Sequence, residues 1–283
     1  MPSTTPAAVP FTVPQCRERK HRGEKITCLT AYDVSTARLF DEAGVDILLV
    51  GDSLGMVVAG MPDTLAVGMA EMLFAVRAVR RGATRALIVA DLPFGSYQTS
   101  VAAGVRNAVR CLKAGASAVK LEGGQPRRRL IRRMVEAEIP VMGHLGLTPQ
   151  AVRRMGGYAV QARAPEAAEA LLEDAQALEE AGVFALVLEG IPRELAARVT
   201  ARLAIPTIGI GAGPDCDGQV LVAHDLLGLT DPAPKFVRRY ADLAPTIRAA
   251  AQAYCRDVTS GAFPADRESY HAPGAPVAVR ARG

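Results

Sequence analysis

The chain has 283 residues, 49% of them hydrophobic and 22% charged, enough for the core of one large domain or two modest ones. A formal net charge of +4, no Trp and no arginines interleaved with stacking aromatics argue against a nucleic-acid surface. No apolar stretch approaches the length of a membrane span, no secretory signal is expected, and five scattered cysteines without CxxC spacing fit free thiols in a reducing cytoplasm.

Residues 1–14 are expected to be a disordered extension, since their Pro-rich opening shows no hydrophobic periodicity. Apolar runs of strand length then recur at 26–29, 47–50, 86–90, 118–121, 141–142, 184–188 and 207–210. From the second onward, each follows a segment of helical periodicity. Junctions such as EAGVD, KAGASA, EAGVF and ARLAIP put Gly at a helix end or Pro at a strand entry. Nearly continuous apolar runs mark strands covered on both faces, and their alternation with helices marks a parallel sheet. DLLGL (225–229) supplies an eighth strand. Eight βα units in roughly 250 residues predict a (β/α)8 TIM barrel over residues 15–262, with 263–283 a mostly disordered tail. A doubly wound open sheet would carry G-x-G-x-x-G after its first strand, whereas this first strand runs into TAYD. The glycine-rich IGIGAGPDCDG (208–218) comes late, and reads as a barrel loop that brings backbone N–H groups near an anion.

The strand ends carry the chemistry. DILLVG leads into Asp52, ALIVA into Asp91, SAVKL into Glu122 and FALVL into Glu189, while PVMGH offers His144 in the same place. In a barrel the C-terminal strand ends surround one cavity. Four carboxylates there repel one another and resist desolvation unless a positive group joins them. Hard oxygen donors without Cys or clustered His point to a Mg2+-type cation. The alternative is that each acid caps a helix or pairs with an arginine. Lys120 lies two residues from Glu122, on the same face of one strand, and is one of only five lysines. It is either a site cation or the partner of Glu122 in a structural ion pair. Two long glycine-containing loops, 53–68 and 145–164, are either lids or oligomer contacts.

The segments VGDSLGM, ADLPFGSY, AVKLEGG, GHLGLTPQ, LVLEGIP and IGIGAGPDCDGQVLVAHDLLGL, in this order over roughly residues 15–270, closely resemble the ketopantoate hydroxymethyltransferase family. The resemblance implies a (β/α)8 barrel of the phosphoenolpyruvate/pyruvate type, a Mg2+ ion, a homo-oligomer (typically a decamer), and 5,10-methylenetetrahydrofolate as one-carbon donor to a small 2-oxo acid. By motif it implies that Asp52, Ser53, Asp91 and Lys120 bind substrate. Asp52, Asp91 and Glu122 would form the metal shell, and Glu189 would be the proton acceptor. His144 matches a family position but receives no catalytic role. An apolar setting around Glu189, supplied by Phe184, Leu186 and Leu188, would favour its neutral form. The chain departs from the family pattern at Ala59, Met61, Ala66, Ala75, Ala159, Ala162 and Gly190, none of them an implied metal, substrate or base position. A lyase or mutase on the same barrel would share the acids but carry a reactive cysteine on a gating loop, and no cysteine here has that context. A non-catalytic barrel would be expected to lose one of the four acids, and all four are present.

Overall fold

The computed structural model describes residues 9–273. Eight parallel strands close into one barrel in the order β1 to β8. The chain runs α1 (Val13–His21), β1 (Ile26–Thr30), α2 (Val34–Glu42), β2 (Ile47–Val50), α3 (Leu54–Val57), α4 (Met69–Gly82) and β3 (Leu87–Asp91). It continues with α5 (Val101–Ala114), β4 (Ala118–Lys120), α6 (Arg128–Glu136), β5 (Val141–Gly146), α7 (Val152–Met155), α8 (Pro165–Ala181) and β6 (Ala185–Glu189). It ends with α9 (Arg193–Arg202), β7 (Thr207–Ile210), β8 (Gly218–Leu221), α10 (Ala223–Leu226) and α11 (Leu243–Thr259).

The side-chain period of two divides each strand between two cores. Ile47 and Leu49, Leu87 and Val89, Ala118, Met142, Ala185 and Val187 fill the barrel interior. Their neighbours Leu48, Val50, Ile88, Ala90, Val119, Leu186 and Leu188 pack outward, in one cluster with buried helix residues such as Val76, Met134 and Leu178. Burial on both sides is why these strands read as unbroken apolar runs.

Two expectations need correction. The eighth strand is Gly218–Leu221, which pairs with both β7 and β1, whereas 225–229 holds the end of α10 and a turn. Gly218 permits this closure, because a Cβ there would lie 2.4 Å from the Ile26 carbonyl oxygen. The N-terminal extension is also shorter than 1–14. Residues 1–8 lie outside the described residues, but Phe11 is buried in the interior core and its N–H donates to the Arg85 carbonyl at 2.7 Å. Val13 and Pro14 already belong to α1, whose Cys16 joins Phe11 in closing the N-terminal end of the barrel. Of the tail, 274–283 lies outside the described residues, and 263–273 is exposed with one 3-10 turn at Asp266–Glu268. α11 contributes no buried side chain. No described helix is long and apolar enough to cross a membrane.

Candidate active site

A cavity of about 310 Å3 opens at the C-terminal end of the strands and is lined by Asp52, Ser53, Asp91, Lys120, Glu122, His144 and Glu189. The structure therefore brings together every site residue expected from sequence. Asp91 and Lys120 end β3 and β4, Glu122 follows two residues on, His144 lies in β5, and Glu189 ends β6. All continue the inward parity of their strands. Asp52 arrives by a turn at Gly51, where a Cβ would sit 2.8 Å from Ser53 Oγ and 3.6 Å from Asp91 Oδ2. That crowding explains why Gly, Asp and Ser end the second apolar run: only a residue without a side chain lets both polar groups into the site.

The acids are neither arginine-paired nor helix caps. Asp91 Oδ1 lies 2.6 Å from Lys120 Nζ, and Asp91 Oδ2 accepts the Asp52 N–H at 3.1 Å. Lys120 thus pairs with Asp91, not with the Glu122 expected as the alternative partner. Burial opposes the lysine charge, but Asp91, Glu122 and Asp52 outweigh it and hold Lys120 above the ordinary lysine range. Lysine has only donors, so the 3.3 Å contact of Nζ with His144 Nδ1 makes that nitrogen the acceptor. The ring proton then sits on Nε2, which faces Glu189 Oε2 at 3.3 Å. Burial, reinforced by Lys120, lowers the His144 pKa and keeps the ring neutral.

Glu189 does not have the apolar surroundings expected of it. Leu186 and Leu188 point to the opposite side of the strand, Phe184 packs against the interior core away from the cavity, and the carboxylate faces an imidazole.

One lysine does not balance this many buried acids. Burial, reinforced by Asp91 and opposed by Lys120, pushes the Asp52 carboxyl up to about 7. Burial also raises Glu122 well above the usual carboxylate range, with Lys120 opposing and Asp52 and Asp91 adding to it. Glu122 Oε1 is buried without a hydrogen-bond partner. Among the described residues no group of three or more His, Cys, Asp or Glu side chains is arranged so that it could hold a metal ion. An all-oxygen, charge-deficient and open donor set with an orphaned carboxylate oxygen still suits Mg2+, which binds through one or two carboxylates and keeps sites for water or substrate.

Three contributors escaped the sequence reading. Gln150, in the loop after β5, donates its side-chain amide to Asp52 Oδ2 at 2.8 Å and its backbone N–H to Glu122 Oε2 at 3.0 Å. Tyr97 Oη donates to Gln150 Oε1 at 2.8 Å, and Tyr32 Oη lies 2.8 Å from Ser53 Oγ. Polar residues in loops carry no periodic signal; only the position of Tyr32 in TAYD, at the end of the first strand, hinted at the site. The two long loops meet over the cavity. Arg153 Nη2 bridges to Asp63 Oδ2 at 2.8 Å, and Tyr158 Oη lies 3.9 Å from Met56 Sδ.

The ketopantoate hydroxymethyltransferase family model matches residues 10–266. The chain is 58% identical over 258 residues to the 3-methyl-2-oxobutanoate hydroxymethyltransferase of Koribacter versatilis, covering 90% of this chain and 88% of that one. It is 57% identical to the enzyme of the same name from Moorella thermoacetica, covering 92% and 97%. Among solved structures, a phosphonopyruvate hydrolase complexed with oxalate and Mg2+ superimposes with a TM-score of 0.59 at 17% identity, covering 91% of this chain and 93% of that one. A 2,3-dimethylmalate lyase of the PEP mutase/isocitrate lyase superfamily gives 0.56 at 17%, covering 91% of each chain. At such identity these two speak for the barrel alone.

Proposed function

The chain belongs to the ketopantoate hydroxymethyltransferase family, and on that premise we propose that it transfers a hydroxymethyl group from 5,10-methylenetetrahydrofolate to 3-methyl-2-oxobutanoate. The product is 2-dehydropantoate, a precursor of pantothenate. The observation that carries the reading is the convergence of Asp52, Asp91, Lys120 and Glu122 on one cavity, with Glu189 approaching from a separate strand.

Asp52, Asp91 and Glu122 would hold Mg2+, as expected from the donor set. Bound there, the ion would polarise the ketone of the 2-oxo acid and disperse the charge that develops when C3 is deprotonated. Lys120 spends one donor on Asp91 and one on His144, which leaves the third for a substrate oxygen. Ser53, set against Tyr32, offers its hydroxyl to the same substrate. Glu189 is the acid farthest from this arrangement in the strand order, on β6 rather than β2 to β4. It takes the C3 proton as base: the C–H electron pair moves into the enolate, whose C3 bonds to the one-carbon unit, while one water supplies the new hydroxyl oxygen and both folate C–N bonds to the methylene carbon break to leave tetrahydrofolate. No cysteine lines the cavity among the described residues, which favours this reading over a lyase with a thiol on its gate.

The five cysteines are free, in keeping with a cytoplasmic enzyme. A homo-oligomer accounts for α11, which exposes Ile247, Tyr254 and Val258.

The test is exchange of the substrate C3 hydrogen with deuterated water, followed by NMR alongside ketopantoate formation with and without Mg2+. The wild type should exchange only with metal, and Glu189→Ala should lose exchange by at least about 100-fold. Undiminished exchange in that variant would assign the base to another group.

A further inference from the structure

We propose that Gln150 is a positioning residue that sets metal selectivity, by occupying one oxygen of Asp52 and one of Glu122 so that each acid presents a single free oxygen. The inference rests on the reading of these two acids as metal ligands.

Its orientation is determined by its neighbours. The side-chain nitrogen faces Asp52 Oδ2 at 2.8 Å and the Leu92 carbonyl oxygen at 3.0 Å. Neither partner carries a proton to donate when Asp52 is ionised, so the amide cannot be turned around. The side-chain oxygen accepts from Tyr97 Oη at 2.8 Å and from Gln98 Nε2 at 3.0 Å. Both donors and both lone pairs of the amide are therefore used. The backbone N–H adds the bond to Glu122 Oε2 at 3.0 Å, and Tyr97 Oη accepts the Glu122 backbone N–H at 3.1 Å. Gln150 is 6% exposed, so water does not compete for these bonds.

A carboxylate with one oxygen engaged in this way binds a cation through the other. Glu122 Oε1 is the oxygen left without a hydrogen bond. Single-oxygen carboxylates suit the strict octahedron of Mg2+, whereas Ca2+ takes six to eight oxygens and readily accepts a carboxylate through both. Gln150 thus withholds from Ca2+ the second oxygen that would raise its coordination number. Partners of this kind, one step removed from a metal, typically change affinity by about 10- to 100-fold.

The experiment is calorimetric titration of the full chain, without substrate, with MgCl2 and separately with CaCl2, read as the ratio of the two Kd values. Gln150→Met keeps the volume and the backbone N–H but frees Asp52 Oδ2, and should move the ratio about 10-fold toward Ca2+. Should burying the unpaired Leu92 carbonyl and Gln98 amide prevent that variant from folding, Tyr97→Phe carries the test. It loosens the amide without removing it, and should shift the ratio the same way by about threefold or more. A ratio within twofold of wild type in every variant that folds overturns the inference while leaving Mg2+ binding intact. A wild type that binds neither cation overturns the metal reading together with it.

Discussion

His144 Nε2 faces Glu189 Oε2 at 3.3 Å, while the opposite ring nitrogen accepts from Lys120 at the same distance. The imidazole therefore lies between the Lys120 ammonium group and Glu189, with its Nε2 proton on the Glu189 side but without a hydrogen bond to the carboxylate. Glutamine at position 144 reaches the Nε2 position with its amide, and asparagine reaches only the Nδ1 position. His144→Gln should keep C3–H exchange within a few fold of wild type. His144→Asn should lose about 10- to 100-fold, the scale set by misplacing a reacting group. Equal loss in both would show that the imidazole does more than orient Glu189.

Asp52 predicts a pH dependence of metal binding. Its carboxyl is pushed up to about 7 by burial, then by Asp91, against the opposing Lys120. An ordinary aspartate in the unfolded chain ionises near 3.8, so between these values the folded protein holds a proton that the unfolded chain has released. The metal-free stability associated with this group is thus greatest below about pH 4 and is lost as pH rises through about 7. Mg2+ requires the ionised carboxylate. The rise in melting temperature caused by Mg2+ should be small at about pH 5.5 and should level off above about pH 8. A Mg2+ effect independent of pH over that range would remove Asp52 from the metal shell.

Among the described residues, Lys120 is the only lysine or arginine paired with any of the cavity acids Asp52, Asp91, Glu122 and Glu189. Lys120→Met leaves Asp91 without its partner and should cost about 3 kcal/mol in urea unfolding without metal, the lower end for breaking a buried pair. Saturating Mg2+ should recover part of the loss, because a dication restores the missing charge. A variant as stable as wild type without metal would show that the Lys120–Asp91 pair adds nothing to stability.

Ala162 adopts φ +54°, a left-handed conformation costly for any residue with a Cβ. Ala162→Gly relieves about 1–2 kcal/mol of strain and gives back about 0.5–1 kcal/mol in unfolded-chain entropy. The net gain should raise the melting temperature by about 1–3 °C. A lower melting temperature would show that the Ala162 methyl packs well enough to outweigh its backbone strain.

The strands most legible in the sequence are those buried on both faces and entered from a helix. β2, β3 and β6 meet both conditions and were placed within a residue or so. β8 meets neither. It follows β7 after only residues 211–217, with no intervening helix, and its Gln219 is exposed. Its pairing with β1 is decided by barrel closure, so the more apolar 225–229 drew the assignment instead. Phe11 was missed for a related reason: one aromatic among prolines becomes a core residue only when the open end of a barrel stands over it.

Local chemistry and side-chain parity were settled by the sequence alone. Unbroken apolar runs made a two-layer parallel architecture, and polar groups at their ends were bound to face one cavity. Folding alone decided which oxygen of each acid stays free, which cation Asp91 holds, and which tautomer His144 adopts. Those outcomes depend on contacts such as Gln150 with Asp52, 98 residues apart in the chain. A hydrogen bond is fixed by angles and tenths of an ångström, and no local pattern encodes the position of a partner brought in by closure of the barrel.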